Sequence, residues 1–158
     1  MDSVTLMNVF RDILRDNLTD PYSIAGGNAR DGNMWIFANE PNVATKYPQI
    51  ELKKVDNPVD IIDIGFNYME HEMVFMNIWV YVKNGFKITV DGVEYKNAQV
   101  VEYMLGQIGD TLKDNQATMV TNCVNSGYKK VNTTTVEYDS TTQLYYGAIT
   151  VRGWFFKR

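Results

Sequence analysis

Residues 70–83 constrain this chain more than any other segment. Val74, Met76, Ile78, Val80 and Val82 fall on one alternating set, and Met73, Phe75, Trp79 and Tyr81 on the other, with Asn77 among them. Successive side chains of a strand point to opposite sides. A strand here is therefore apolar front and back, which predicts a central place in a sheet covered on both faces. Residues 143–157 repeat the property. Leu144, Tyr146, Ala148, Thr150, Arg152, Trp154 and Phe156 alternate with Tyr145, Gly147, Ile149, Val151, Gly153 and Phe155. One cover reads as helix. The other reads either as two-sided core or as a subunit interface, where aromatic residues are enriched. A chain with only two long helical patterns tilts the reading toward the interface.

Those patterns flank the strand signals. Val4, Met7, Phe10, Leu14 and Leu18 recur at helical spacing, and Asp20-Pro21 ends the run. Residues 97–113 carry the second stripe, with Val100 or Val101, Met104 or Leu105, Ile108 and Leu112, and Asn97 as the expected cap. Gly106 and Gly109 soften that helix or permit a close approach. Between the helices, residues 24–33 read as a loop, longer than a median connection, before a strand at 34–38. Residues 47–55 read as a strand with Ile50 and Leu52 on one side, and residues 59–64 carry no assignment. Asp91-Gly92 predicts a type I′ hairpin joining 86–90 to 93–96. Residues 119–124, 128–138 and 143–157 read as strands, with a turn at 125–127. The expectation is one α+β domain over 1–158: a mixed, mainly antiparallel sheet with two helices packed on it.

The chain has 158 residues, 45% of them hydrophobic, enough for one sizeable core without staples. Its net charge is −4 and its basic residues are scattered, which argues against direct nucleic-acid recognition. One cysteine, Cys123, allows no internal disulfide. The first residues lack a basic-then-apolar layout, and no apolar run approaches the ~20 residues of a membrane span. Folding in the cytoplasm, with no membrane partner, is the expectation.

Motifs for chemistry are lacking. The single histidine, His71, sits in Glu70-His71-Glu72, but on a strand it points away from both glutamates. One histidine and one cysteine do not make a closed zinc site or a hydrolytic triad. Residues 26–32 are Gly-rich but lack the Gly-Lys-Ser/Thr ending of a phosphate-binding loop. Neither enzyme activity, nor a cofactor, nor a metal is expected. Asn28, Arg30 and Asp31 in the long loop, and Tyr128, Lys129 and Lys130 after the 125–127 turn, are the candidate partner-binding residues. The alternative is a small-molecule module or enzyme on a concave sheet face. Asn77 and Arg152, polar on otherwise apolar strand faces, are its cues.

The order of elements resembles the tail terminator, or tail-to-head joining, proteins of long-tailed phages. The residues that carry it are the helix at 4–18, Tyr47-Pro48-Gln49-Ile50-Glu51-Leu52, the strand at 73–82, the helix at 99–112 and the closing strand at 145–156. The likeness is one of layout over nearly the whole chain. It implies a structural virion protein assembled as a ring, usually a hexamer, at the head-proximal end of a tail. Such a ring ends tube growth and meets the tail tube protein and the head connector protein. No catalytic residue carries over.

Overall fold

The computed structural model describes the backbone of residues 3–38, 46–56, 59–64, 67–122 and 127–157, and the side chains of 6–38, 46–54, 75–119 and 132–152. The chain is α+β. Helix α1 (Ser3–Asn17) leads into a short α2 (Pro21–Ile24) and a 3-10 turn (Asp31–Asn33). Strands β1 (Ile36–Ala38), β2 (Gln49–Asp56), β3 (Val59–Ile64) and β4 (Asn67–Lys83) follow, then the hairpin β5 (Lys87–Val90) and β6 (Val93–Lys96). Helices α3 (Ala98–Asp114) and α4 (Gln116–Asn122) precede β7 (Gly127–Thr133), β8 (Glu137–Asp139) and β9 (Leu144–Lys157).

The main sheet runs β1-β2-β4-β9-β7, with β3 beside the first half of β4 and β8 beside β9. Only β1–β2 is parallel; the other pairs are antiparallel. The central pair is in register from Glu70↔Lys157 to Lys83↔Leu144. Cross-strand partners share a face, so this ladder sorts the sheet into two sides. The inner side holds Met76, Ile78, Val80 and Val82 of β4, Ile149 and Val151 of β9, and Ile50 and Leu52 of β2. Each is at most 1% exposed. Both long helices cover this side. Leu6, Met7, Phe10, Ile13 and Leu14 of α1 and Val100, Val101, Met104, Leu105, Ile108 and Leu112 of α3 join them in one core. The α1 stripe is wider than the 3.6-residue pattern predicts because Leu6 and Ile13 are buried as well.

Gly147 lies where α3 crosses β9. A Cβ there would stand 3.3 Å from both Leu105 Cδ1 and Val101 Cγ1, so its small size sets the helix–sheet distance. The glycines of α3 itself are different. A Cβ at Gly109 would meet Ile149 Cδ1 at an ordinary 3.7 Å, and one at Gly106 would meet nothing within 4 Å. Asn97 precedes α3 with φ 54° and gives it no side-chain cap. Its Oδ1 instead accepts from the Gly85 N–H at 2.8 Å, tying the helix start to the β4–β5 turn. The Asp91-Gly92 turn has positive φ at both positions, 51° and 79°, as a type I′ hairpin needs.

Two strand expectations are corrected, and one unassigned segment is placed. Residues 119–122 belong to α4, because Asn115 interrupts α3 and the chain resumes as helix. The Asn115 backbone and side chain both donate to the Thr111 carbonyl, at 3.1 and 2.8 Å. Met119, 1% exposed, then joins the core, and this burial overrides the β-branched composition of the segment. Residues 128–138 form two strands rather than one. Both pair with β9, and Thr134 bridges the gap by donating its N–H to the Ala148 carbonyl and accepting the Ala148 N–H on Oγ1, each at 2.8 Å. The unassigned segment at 59–64 is β3, hydrogen-bonded to β4. Cys123 and the expected turn centre at 125–126 lie outside the described residues.

Two substitutions test this packing. Ile78→Ala, on the fully buried centre of β4, should lower the unfolding free energy by roughly 2–5 kcal/mol in urea titration. Gly106→Ala should raise it by about 1 kcal/mol, because it removes backbone freedom from an exposed helical position with room for the methyl group.

Candidate functional site

The opposite side of the sheet carries an aromatic cluster among polar residues. On β4 it carries Phe75, Asn77, Trp79 and Tyr81, and on β9 Tyr146, Ala148, Thr150 and Arg152. On β2 it carries Gln49, Glu51 and Lys53. Trp79, Tyr81 and Tyr146 form a triangle with ring centroids 6.1–6.4 Å apart. All three are half-buried. This is the spacing of mutually supporting aromatic rings. Among the described residues no helix lies over this face.

Carboxylates hold the triangle's phenols. Tyr81 donates to Glu51 Oε2 at 3.2 Å and Tyr146 to Glu137 Oε2 at 2.8 Å. Burial, then the charge and hydrogen bond of Glu51, push the Tyr81 hydroxyl well above its ordinary pKa. The hydrogen bond to Glu137 raises that of Tyr146. Both phenols thus stay protonated and keep their rings oriented. Glu51 is only 7% exposed, so its hydrogen bond from Tyr81 also satisfies a carboxylate with little access to water. These carboxylate partners were not legible in the sequence, because each pairing follows from strand register alone.

Among the described residues, the two polar cues on this face do not converge on a pocket. Asn77 Oδ1 accepts from Thr150 Oγ1 at 2.6 Å across β4 and β9. The described cavities are lined by neither Asn77 nor Arg152.

The structure divides the partner-binding candidates into two sets at opposite margins of the sheet. Asn28, Arg30 and Asp31 sit beside β1 and line one open depression with Tyr22, Met34, Trp35 and Lys46. Tyr128, Lys129 and Lys130 lie on β7, where the backbone is in register with Gly153, Arg152 and Val151 of β9. Their side chains, and that of His71, fall outside the described residues. Lys129 and Lys130 are strand residues, in keeping with the strand expected from residue 128. The pairing partners in β9 draw them into the ladder.

Arg30 is the keystone of the first set. Its Nε and Nη2 donate to Asp20 Oδ2 and Oδ1 at 2.9 and 2.7 Å. Nη1 donates to the Pro48 carbonyl at 2.9 Å and to that of Lys46. The guanidinium lies 5.2 Å from the Tyr22 ring centre and 5.1 Å from that of Trp35. Asp20 also caps α2 through the Tyr22 N–H, with Pro21 at the first helical position. Asp20-Pro21 is thus a helix start as well as a helix stop, and that signal was present in the sequence. Asn33 completes the knot, donating to the Arg15 and Leu18 carbonyls at 2.6 and 2.9 Å and accepting from Trp35 Nε1 at 2.9 Å. Residues 24–33 form a fastened corner in which Asn28 and Asp31 remain exposed.

Burial of Asp20 favours its neutral form, but the Arg30 side-chain and backbone hydrogen bonds, the Tyr22 N–H and the Arg30 charge outweigh it, and its pKa is lowered. Among the described residues, no group of three or more His, Cys, Asp or Glu is placed to hold a metal, and no helix is long and apolar enough to cross a membrane. No protein-family model matches the chain, and no curated protein is significantly similar to it.

The Asp20–Arg30 pair makes a signed prediction. A depressed folded-state pKa stabilises fully above the ordinary aspartate value, near 4, and that contribution is lost as pH falls through the lower folded value. Asp20→Asn should flatten the acid limb of stability against pH below about pH 4. Arg30→Met, which leaves a 2%-exposed carboxylate unpaired, should destabilise by roughly 3 kcal/mol at pH 7 in denaturant titration.

Proposed function

We propose that this chain is a structural, self-assembling protein of the tail-terminator type. It forms a ring at the head-proximal end of a phage-type tail, where it ends tube growth and joins tail to head. The observation that carries the reading is the one-sided helix layer. Both long helices pack on the inner face, and the Trp79–Tyr81–Tyr146 triangle stands half-buried on the other. A half-covered aromatic surface supported by oriented hydroxyls is suited to the core of a protein interface.

The placement of the candidate contacts supports a ring over a two-fold dimer. The corner with Asn28 and Asp31 and the strand with Tyr128, Lys129 and Lys130 occupy opposite margins of the sheet. Contacts between unlike patches are head-to-tail, and they generate rings when the rotation closes. Asp31 on one margin and Lys129 and Lys130 on the other also carry opposite charges. In this reading Arg30 builds the corner, while Asn28 and Asp31 present it. The layout resemblance supplies the location in a virion tail, the expected six copies, and the tail tube and head connector as partners. No catalytic step and no cofactor belong to it.

A stable ring contact of this kind buries at least ~1,000 Å². Light scattering and native mass spectrometry should therefore find a closed homo-oligomer, alone or on addition of a tail tube protein. Trp79→Lys should shift the assembly to monomer by at least about tenfold in dissociation constant, with an unchanged far-ultraviolet spectrum. A wild-type chain that stays monomeric at high concentration with and without the tube protein would sink the proposal.

A further inference from the structure

On the helix side of the sheet, the end of α1, α2, the β5–β6 hairpin and α3 line a partly open cavity of about 380 Å³. This lies within the range of small-molecule sites, roughly 300–1,000 Å³, and exceeds the voids that close-packed interiors ordinarily leave. Its walls are sorted by polarity. Trp35, Ile50 and Met104 make a floor, each at most 4% exposed. Asp91 and Gln107 are exposed at the opening, with Tyr103 half-buried. Of all the side chains lining the cavity, that of Asp91 alone is charged. The hairpin turn fixes Asp91 there, with φ 51° beside Gly92. Burial first, and then Tyr95 and Asp91, raise the Tyr103 hydroxyl pKa, so this group stays protonated at the rim.

We infer that this cavity binds a small organic cation, with an aromatic or branched aliphatic body against Trp35, Ile50 and Met104 and an ammonium group at Asp91. The apolar floor gives water few hydrogen-bonding partners, so an apolar body is favoured there. Trp35 adds aromatic carbon to that floor. At the opening the ammonium keeps part of its hydration while it meets a carboxylate. The Gln107 amide oxygen and the Tyr103 oxygen are further acceptors for its N–H groups. An anion of the same shape meets the same floor but the wrong charge. The site lies on the face opposite the aromatic triangle, so it stands independently of the assembly reading.

The test is calorimetric titration of the full chain with 2-phenylethylamine and with 3-phenylpropionate. One saturable site for the amine is expected, with the acid weaker by about tenfold, the combined effect of one attraction and one repulsion at a partly exposed carboxylate. Asp91→Asn should narrow that gap to about threefold or less while the amine still binds. Met104→Trp, which fills the floor, should abolish binding of both probes with the fold intact by circular dichroism. If that variant does not fold, Ile24→Trp on the half-buried wall serves the same purpose. The inference is overturned if neither probe saturates at millimolar concentration. It is also overturned if the two bind equally, or if a folded, cavity-filled variant still binds the amine as the wild type does.

Discussion

The antiparallel pairing of β4 with β9 is the constraint on which the rest of the molecule depends. Its register joins residues 70–83 to residues 144–157 and fixes which side chains share a face. A slip of one residue in either strand would carry Ile78 and Val80 outward and bring Trp79 and Tyr81 in. Because every other strand of the main sheet pairs directly with this ladder, except β1 through β2, the two faces of the sheet are inherited from it. At the centre of the ladder the inner face is apolar and packs against the two long helices. The outer face mixes rings, amides and carboxylates, and three of its polar pairs are bonded across strands: Tyr81 to Glu51, Tyr146 to Glu137 and Thr150 to Asn77. A neighbour that covered the aromatic triangle would meet these groups already partnered.

How much of this was legible follows the range of the interactions involved. The two-faced strands, the Asp91-Gly92 hairpin and both long helices are written in local periodicity and turn chemistry, and they stand as read. The segment at 119–122 misled because Val120 and Thr121 carry strand-like composition, while the helix there owes its existence to Met119 entering the core between α1 and α3. Asn97 misled differently. A residue type that caps helices is present at the right position, but its side chain serves a turn twelve residues earlier in the chain. The second face of β4 was recognised as apolar, yet its carboxylate partners come from β2 and β8 and depend on register.

The corner at residues 20–35 shows why a list of exposed-looking loop residues is a poor list of contacts. Arg30 has the composition of a recognition residue: a cation in a Gly- and Asn-rich loop. In the fold its planar fork meets a carboxylate and two carbonyls while its faces stack against Tyr22 and Trp35. That geometry suits guanidinium and not ammonium, since a lysine offers neither the bidentate fork nor the flat faces. The arginine therefore spends its chemistry inside the chain. What it leaves at the surface is a corner of defined shape, on which Asn28 and Asp31 are presented with little backbone freedom.

In the proposed ring, rigid presentation matters for closure. A ring closes only if each head-to-tail contact repeats the same rotation, so a loop that wandered would yield open or mixed oligomers. The Asp20–Arg30 clamp, the Asn33 bonds to the end of α1 and the two Arg15 bonds to the Ile36 carbonyl lock this margin to the helix layer. At the other margin, β7 is held by its ladder to β9, with a register shift between Lys130 and Asn132 that bends the strand locally. Both margins are thus referenced to the central pair, one through the helices and one through the sheet. A rotation between neighbouring copies would be set by the same β4–β9 register that sorts the core from the aromatic face.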